Sequence, residues 1–336
     1  MIARAQILTS LAVALLLEFT PPAIARQSHT GDRVHLAPRY STGQALHYSV
    51  QLHTKTTAHA AGPIVDPEGA TQFDQSVNVI LRLDVLSAAR ASDGTARLRT
   101  TYERVIANNK DNSYDPGAED LEKQYARLQG RSIEFTLHPD GKITDISGLQ
   151  EVAANPARAA EMNQWLSQIT LGASVPRKGI VIGEKWSSVQ PLSGAPIAGV
   201  SWHTKSTYQS DEPCNVSGPK TVSGAAAKNL PASHSAPEEC AIILTQSEMR
   251  ESRGRGDRTP NEFKKNGLRT MGEWKGAGES LTELSLRSGL VISVTQSGTT
   301  HMDYTVTAAA TGNHVHYTAD TQSQALITLL PEPPSR

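Results

Sequence analysis

Val77, Val79, Leu81, Leu83 and Val85 stand in strict alternation with Asn78, Arg82 and Asp84 between them, the period of a half-buried β-strand. Asp93-Gly94 marks a turn beyond them. Ala96, Leu98, Thr100, Tyr102 and Ile106 continue at even spacing, so residues 76–107 predict a long antiparallel hairpin. A second hairpin reads from Ile133, Phe135 and Leu137 through His138-Pro139-Asp140-Gly141 to Ile143 and Ile146. Val200, Trp202, Thr204, Ser206 and Tyr208 alternate as a further strand, and residues 240–246 (CAIILTQ) make another. Strands are also expected around 44–54, 184–190, 268–275, 280–287, 290–297, 302–309 and 314–329.

Two segments carry helical signals instead. Asn155-Pro156 places an Asx at the N-cap and Pro at the first helical position. Ala159, Met162, Leu166 and Ile169 then recur at three- and four-residue steps, with Gly172 as the stop, so a helix is expected over 156–171. Asp115-Pro116 repeats the start, acidic Glu119 and Asp120 occupy the first turn, and Leu121, Tyr125 and Leu128 share a face before Gly130, which predicts a shorter helix over 116–129. Each helix has one apolar stripe to bury against a sheet.

The fold class expected is therefore α+β and β-rich, with curved, half-barrel-like antiparallel sheets, one main covering helix and one short helix. Residues 132–147 and 280–298 echo each other, since Gly141, Ile143 and Ile146 match Gly289, Val291 and Val294 at one offset. Two readings stand: a duplication giving two related halves, or the general likeness of any two hairpins. The expected organisation is a segment 1–25 outside the fold, a flexible 26–39, an N-terminal β-rich half over 40–190, a C-terminal β-rich half over 191–330 with loops inserted at 210–240 and 250–267, and a tail at 331–336.

Composition adds an address. Residues 7–17 are almost entirely apolar and Ala23-Ile24-Ala25 follows, the pattern of a cleaved signal peptide over 1–25. That run is too short for the ~20 apolar residues needed to span a bilayer. The expected location is periplasmic or extracellular, and an oxidising compartment suits the two cysteines. Cys214 and Cys240 bracket a Ser-, Gly-, Ala- and Pro-rich stretch between two strand patterns, so a disulfide is expected to staple the base of a long loop.

Charge excludes one function class. With 32 basic and 33 acidic side chains, net charge -1, the chain lacks the electrostatic footprint of a nucleic-acid binder, and no nucleic-acid partner is expected. Nucleotide, α/β-hydrolase and zinc-protease motifs are missing from the sequence. Ser217 and Lys220 match S-x-x-K inside the loop with no helix to orient the lysine. His314 and His316 fall on one strand face, as zinc ligands would, with His301 and Asp303 nearby. A two-residue turn at Gly312-Asn313, however, would pair positions summing to 625 and leave His301 about 27 Å from His316. Arg255, Gly256 and Asp257 spell a cell-adhesion tripeptide within a basic loop over 250–269, which reads as a solvated loop. No catalytic, cofactor-binding or metal-binding residue is assigned on these grounds.

Pro176, Gly179 and Ile180, then Gly183 and Trp186, form a P-x-x-G-I-x-x-G-x-x-W element. It resembles one in a family of secreted bacterial proteins of unknown function, which share the aromatic strand at 40–52, the hairpin marked by Gly130, Phe135 and Gly141, and a closing hairpin over 272–299. The resemblance covers most of 40–330 and implies no activity. The function expected is a non-enzymatic exported protein that uses a curved sheet to bind an apolar ligand or an envelope partner. The alternative is a hydrolase acting on cell-envelope material, for which the sequence offers no assembled acid/base pair.

Overall fold

A computed structural model describes residues 33–63, 70–89, 94–111, 121–138, 141–152, 166, 170, 175–176, 178–192, 195–214, 238–251 and 257–331. Segment 1–25, expected to be a signal peptide, residues 215–237 of the expected loop, the Arg-Gly pair at 255–256 and nearly all of the helix expected over 156–171 lie outside them. Strands dominate the rest. In chain order they are β1 (Ala45–Ala61), β2 (Thr71–Ala88), β3 (Ala96–Asp111), β4 (Ser132–Leu137), β5 (Ile143–Ser147), β6 (Lys185–Pro191), β7 (Val200–Pro213), β8 (Glu239–Glu251), β9 (Leu268–Ser285), β10 (Val291–Ala308) and β11 (His314–Leu330). Short helices α1 (Leu121–Ala126), α2 (Leu149–Val152) and α3 (Asn261–Lys265) interrupt them.

All eleven strands form one open antiparallel sheet, in the order β5-β4-β3-β2-β1-β11-β10-β9-β8-β7-β6. Two meanders thus meet where the first and last strands pair, Val50 opposite Ile327, and the N- and C-terminal strand sets share a continuous ladder. The alternation read from the sequence sets the face. Val50, Val79, Val105, Val294, Ile327, Ile243 and Tyr208 all point one way into a single core with Leu36, Ile180 and Leu290. A flat sheet of this width would hold its edges about 48 Å apart. Here Ile146 of edge strand β5 and Trp186 of edge strand β6 pack against the same cluster, as the sheet bends around it.

The expected hairpin at 76–107 is present and longer, because β2 begins at Thr71 and β3 runs to Asp111. Of the expected helix over 116–129, Leu121–Ala126 is helical and residues 127–130 form turns. Leu166 is helical and buried in the main core, and the Thr170 amide and hydroxyl both donate to its carbonyl at 3.0 and 2.5 Å.

Three expectations are corrected. The strands expected at 268–275 and 280–287 are one strand, β9, and those at 290–297 and 302–309 are one strand, β10. Gly276, Gly278 and Gly298 look like breaks in isolation, but Gly278 pairs directly with Gly298 and both are held between two partner strands. The loop expected over 250–267 is shorter, since β8 reaches Glu251 and α3 begins at Asn261. The β10–β11 turn is not the two-residue Gly312-Asn313 link: Thr307 pairs with His314, and Ala308 donates to the Asn313 carbonyl around a five-residue connection. The register therefore differs from that expected by four residues.

Candidate functional site: the inner face of the long strands

The long strands β1, β2, β9, β10 and β11 extend past the main core. Their core-side face, here the inner face, changes character along their length. Beyond the Val294–Ile327–Val50–Val79 row comes Gln296–Ala325–Leu52–Val77. Next lies a row without an apolar side chain, running Ser188–Thr204–Ser247–Gly278–Gly298–Ser323–Thr54–Gln75–Asn109 across nine strands. Hydroxyls bond across the ladder in this band, Ser188 to Thr204 at 2.7 Å and Thr56 to Thr321 at 3.0 Å.

Toward the strand tips the face turns apolar again. Trp274, Met302, Ala319 and Ala58 form one row, and Tyr304, Tyr317 and Ala60 the next, with Val306 opposite Val315 beyond them. The rings of Tyr304 and Tyr317 stack with centroids 5.3 Å apart and planes at 21°. Burial holds the Tyr304 hydroxyl above its ordinary pKa, with the neighbouring Tyr317 adding to the shift. On the β9 side this strip is anchored, because Trp274 and Tyr304 pack against Ile197, Val200 and Met249. Over β1 and β11 no helix or non-neighbouring strand among the described residues packs on it beyond isolated contacts, and Tyr317 is 36% exposed.

The opposite, outer face carries the charge. His53 meets Asp74 at 2.7 Å, His301 meets Asp320 at 2.8 Å, and His316 meets Asp303 at 2.8 Å. The hydrogen bond from His53, followed by desolvation that opposes it, leaves the Asp74 carboxyl below the ordinary range. An open cleft of about 900 Å³ lies where β8 parts from β9, lined by Lys55, Glu248, Trp274, Lys275, His301 and Asp320 among others. At the parting, Glu251 accepts from the Trp274 amide at 2.8 Å and from Arg258 at 2.6 Å, which closes the free edge of β9.

The corrected register places the zinc candidates anew. His301 pairs with Asp320 and His316 with Thr305, so His301 and His316 each hold a different aspartate, while His314 sits at the turn opposite Thr307. Among the described residues no group of three His, Cys, Asp or Glu converges as a metal site would require. His138 bonds Thr144 and His203 bonds Ser201, and these hydroxyl-bound imidazoles are separate from the carboxylate-paired His47, His53, His301 and His316. Cys214 and Cys240 are disulfide-bonded, with Cys240 fully buried beside Ile242 and Ile292. Ser217 and Lys220 lie outside the described residues. Asp257 of the tripeptide bonds the Thr259 amide at 2.9 Å and Lys264 at 3.2 Å, a turn-stabilising arrangement. In the P-x-x-G-I-x-x-G-x-x-W element, Gly183 has φ 85° and donates to the Tyr208 carbonyl, and Trp186 opens β6 against the main core.

Sequence reasoning missed the inner strip. The alternation of Met302, Tyr304 and Val306 was visible, but its continuation into Tyr317, Ala319 and Ala58 depends on the register.

No protein-family model matches the chain, and no curated protein matches its sequence. Among solved structures it is similar to one titled "Lipid-protein interactions in lipovitellin", with a TM-score of 0.44 and 10% identity over 88% of this chain and 26% of that one. The chain therefore spans about a quarter of that protein's length. Among the described residues no helix is long and apolar enough to cross a membrane.

Proposed function

We propose that this is an exported, non-enzymatic protein that holds an apolar ligand on the inner face of its long strands. One observation carries the reading: the strip from Trp274 and Tyr304 through Met302, Tyr317 and Ala319 to Ala58 is apolar, flanked by a buried cluster, and, among the described residues, without a second layer over β1 and β11. A sheet face of alternating pattern is normally apolar because something covers it. The strip spans four strands by about five residues, roughly 15 Å by 15 Å, or about 250 Å². A specific protein partner needs about 800 Å² per side, so the dimensions favour a small ligand over an envelope protein. The disulfide fits export to an oxidising compartment.

The test is binding of the uncharged dye Nile red to the purified protein, together with mass spectrometry of extracted small molecules. Tyr317→Asp, which puts a carboxylate in the strip, is expected to weaken dye binding about ten-fold or more. Met271→Asp, at a 77% exposed position on the outer face, is the control and leaves binding unchanged. Equal binding by wild type and Tyr317→Asp would overturn the proposal, as would a protein in place of a small molecule on the strip.

A further inference from the structure

The inner face of these strands sorts by charge as well as by hydropathy. Read in order, it carries Leu52, Thr54, Thr56, Ala58 and Ala60 on β1, and Thr71, Phe73, Gln75 and Val77 on β2. On β11 it carries Val315, Tyr317, Ala319, Thr321, Ser323 and Ala325, and on β10 Gln296, Gly298, Thr300, Met302, Tyr304 and Val306. On β9 it carries Thr270, Gly272, Trp274, Gly276, Gly278 and Ser280. Not one of these positions is Asp, Glu, Lys, Arg or His. Every such side chain on the same stretches, among them His53, Lys55, Asp74, Glu273, Lys275, His301, Asp303, His316 and Asp320, lies on the other face. The Glu251–Arg258 pair at the margin by Trp274 is already mutually neutralised, at 2.6 Å.

Resting on the reading that this face binds an apolar ligand, the geometry points to its class: a neutral amphiphile with one long acyl chain and an uncharged, hydroxyl-bearing head. The chain would lie on the aromatic strip toward the strand tips. The head would meet the adjoining hydroxyl and amide rows, where Thr56, Thr321, Thr300, Ser323 and Gln75 offer donors and acceptors. An ionised head would lose water there without gaining a counter-charge, which penalises fatty-acid carboxylates and phosphate heads alike. A hydroxyl head exchanges water hydrogen bonds for Thr and Ser ones at little cost. Charge therefore sets selectivity, while the strip sets affinity.

The experiment compares 1-monooleoylglycerol with oleate at pH 8 by displacement of Nile red from the full-length mature protein. The ester is expected to bind at least about ten-fold more tightly than the ionised acid. Thr321→Lys, a cation placed among the hydroxyls, is expected to raise oleate affinity about ten-fold relative to the ester. If that variant does not fold, Thr300→Lys tests the same point from the neighbouring strand. Wild-type protein that binds oleate as well as the ester overturns this inference and leaves apolar binding intact. A folded lysine variant with no gain for oleate also overturns it, because the head then lies elsewhere. If neither compound displaces the dye, the proposed function fails and this inference with it.

Discussion

Tyr304 and Tyr317 are direct partners across the β10–β11 ladder, and their rings stack at 5.3 Å on the inner face. Cross-strand aromatic pairs of this kind contribute about 0.5–1.5 kcal/mol beyond burial. The register that makes them partners is set by the five-residue turn between Ala308 and His314, so the inner strip depends on a turn far from the main core.

A backbone test of the strip comes from two glycines. Gly272 has φ 149°, and a Cβ there would collide with the Asp303 carbonyl and the Tyr304 Cα. Gly272→Ala is expected to cost about 1–3 kcal/mol or more in urea unfolding. Gly298 has no such conformation, and its added Cβ would approach nothing closer than 3.3 Å. Gly298→Ala is expected to fall within about 1 kcal/mol of wild type.

Leu166 is 3% exposed and belongs to the main core with Tyr48 and Phe135. Leu166→Ala is expected to cost ~2–5 kcal/mol, as for a side chain in a sealed core. A loss below about 1 kcal/mol, with tighter binding of a hydrophobic dye, would make that segment the roof of a cavity instead.

Reducing the Cys214–Cys240 bond frees a loop with a sequence separation of 26. In the chain-entropy model the double Cys→Ala protein loses about 3.5 kcal/mol. Unfolding midpoints with and without reductant check the value. Deleting the enclosed loop with the ends rejoined should leave the melting temperature within a few degrees, because it holds almost no large apolar residues.

Acid should destabilise the fold through particular carboxyls. Hydrogen bonds to the Thr259 side chain and amide hold Asp257 at about 2 against an ordinary 3.8. Hydrogen bonding to Arg99 lowers Glu134, and to His53 lowers Asp74. Groups depressed in the folded state contribute stability that is fully present above their unfolded values and is lost as pH falls through the folded ones. Thermal melts should therefore decline from about pH 5 down to about pH 2. Asp257→Asn should flatten the lower end of that decline, and an unchanged slope would count against the assignment.

The alternation of Val77 to Val85 and of Leu98 to Tyr102 was enough to place β2 and β3, because a period of two on a half-buried strand leaves no other low-energy arrangement. The bracketing of a polar stretch by Cys214 and Cys240 likewise gave the disulfide. Other features were not local. Gly276, Gly278 and Gly298 weaken any strand read alone, and pairing with neighbouring strands, on both sides for Gly278 and Gly298, keeps β9 and β10 continuous through them. The adjacency of β1 and β11 joins residues hundreds of positions apart, which no short-range pattern encodes. The inner strip depends on both: a slip of one residue would send Tyr317 to the charged face, and the four-residue difference in register changes which partner it meets. The sequence by itself determined which positions alternate and where the chain must bury them. Tertiary pairing decided which alternating faces lie side by side, because that choice is made by the summed ladder bonds and core contacts of all eleven strands.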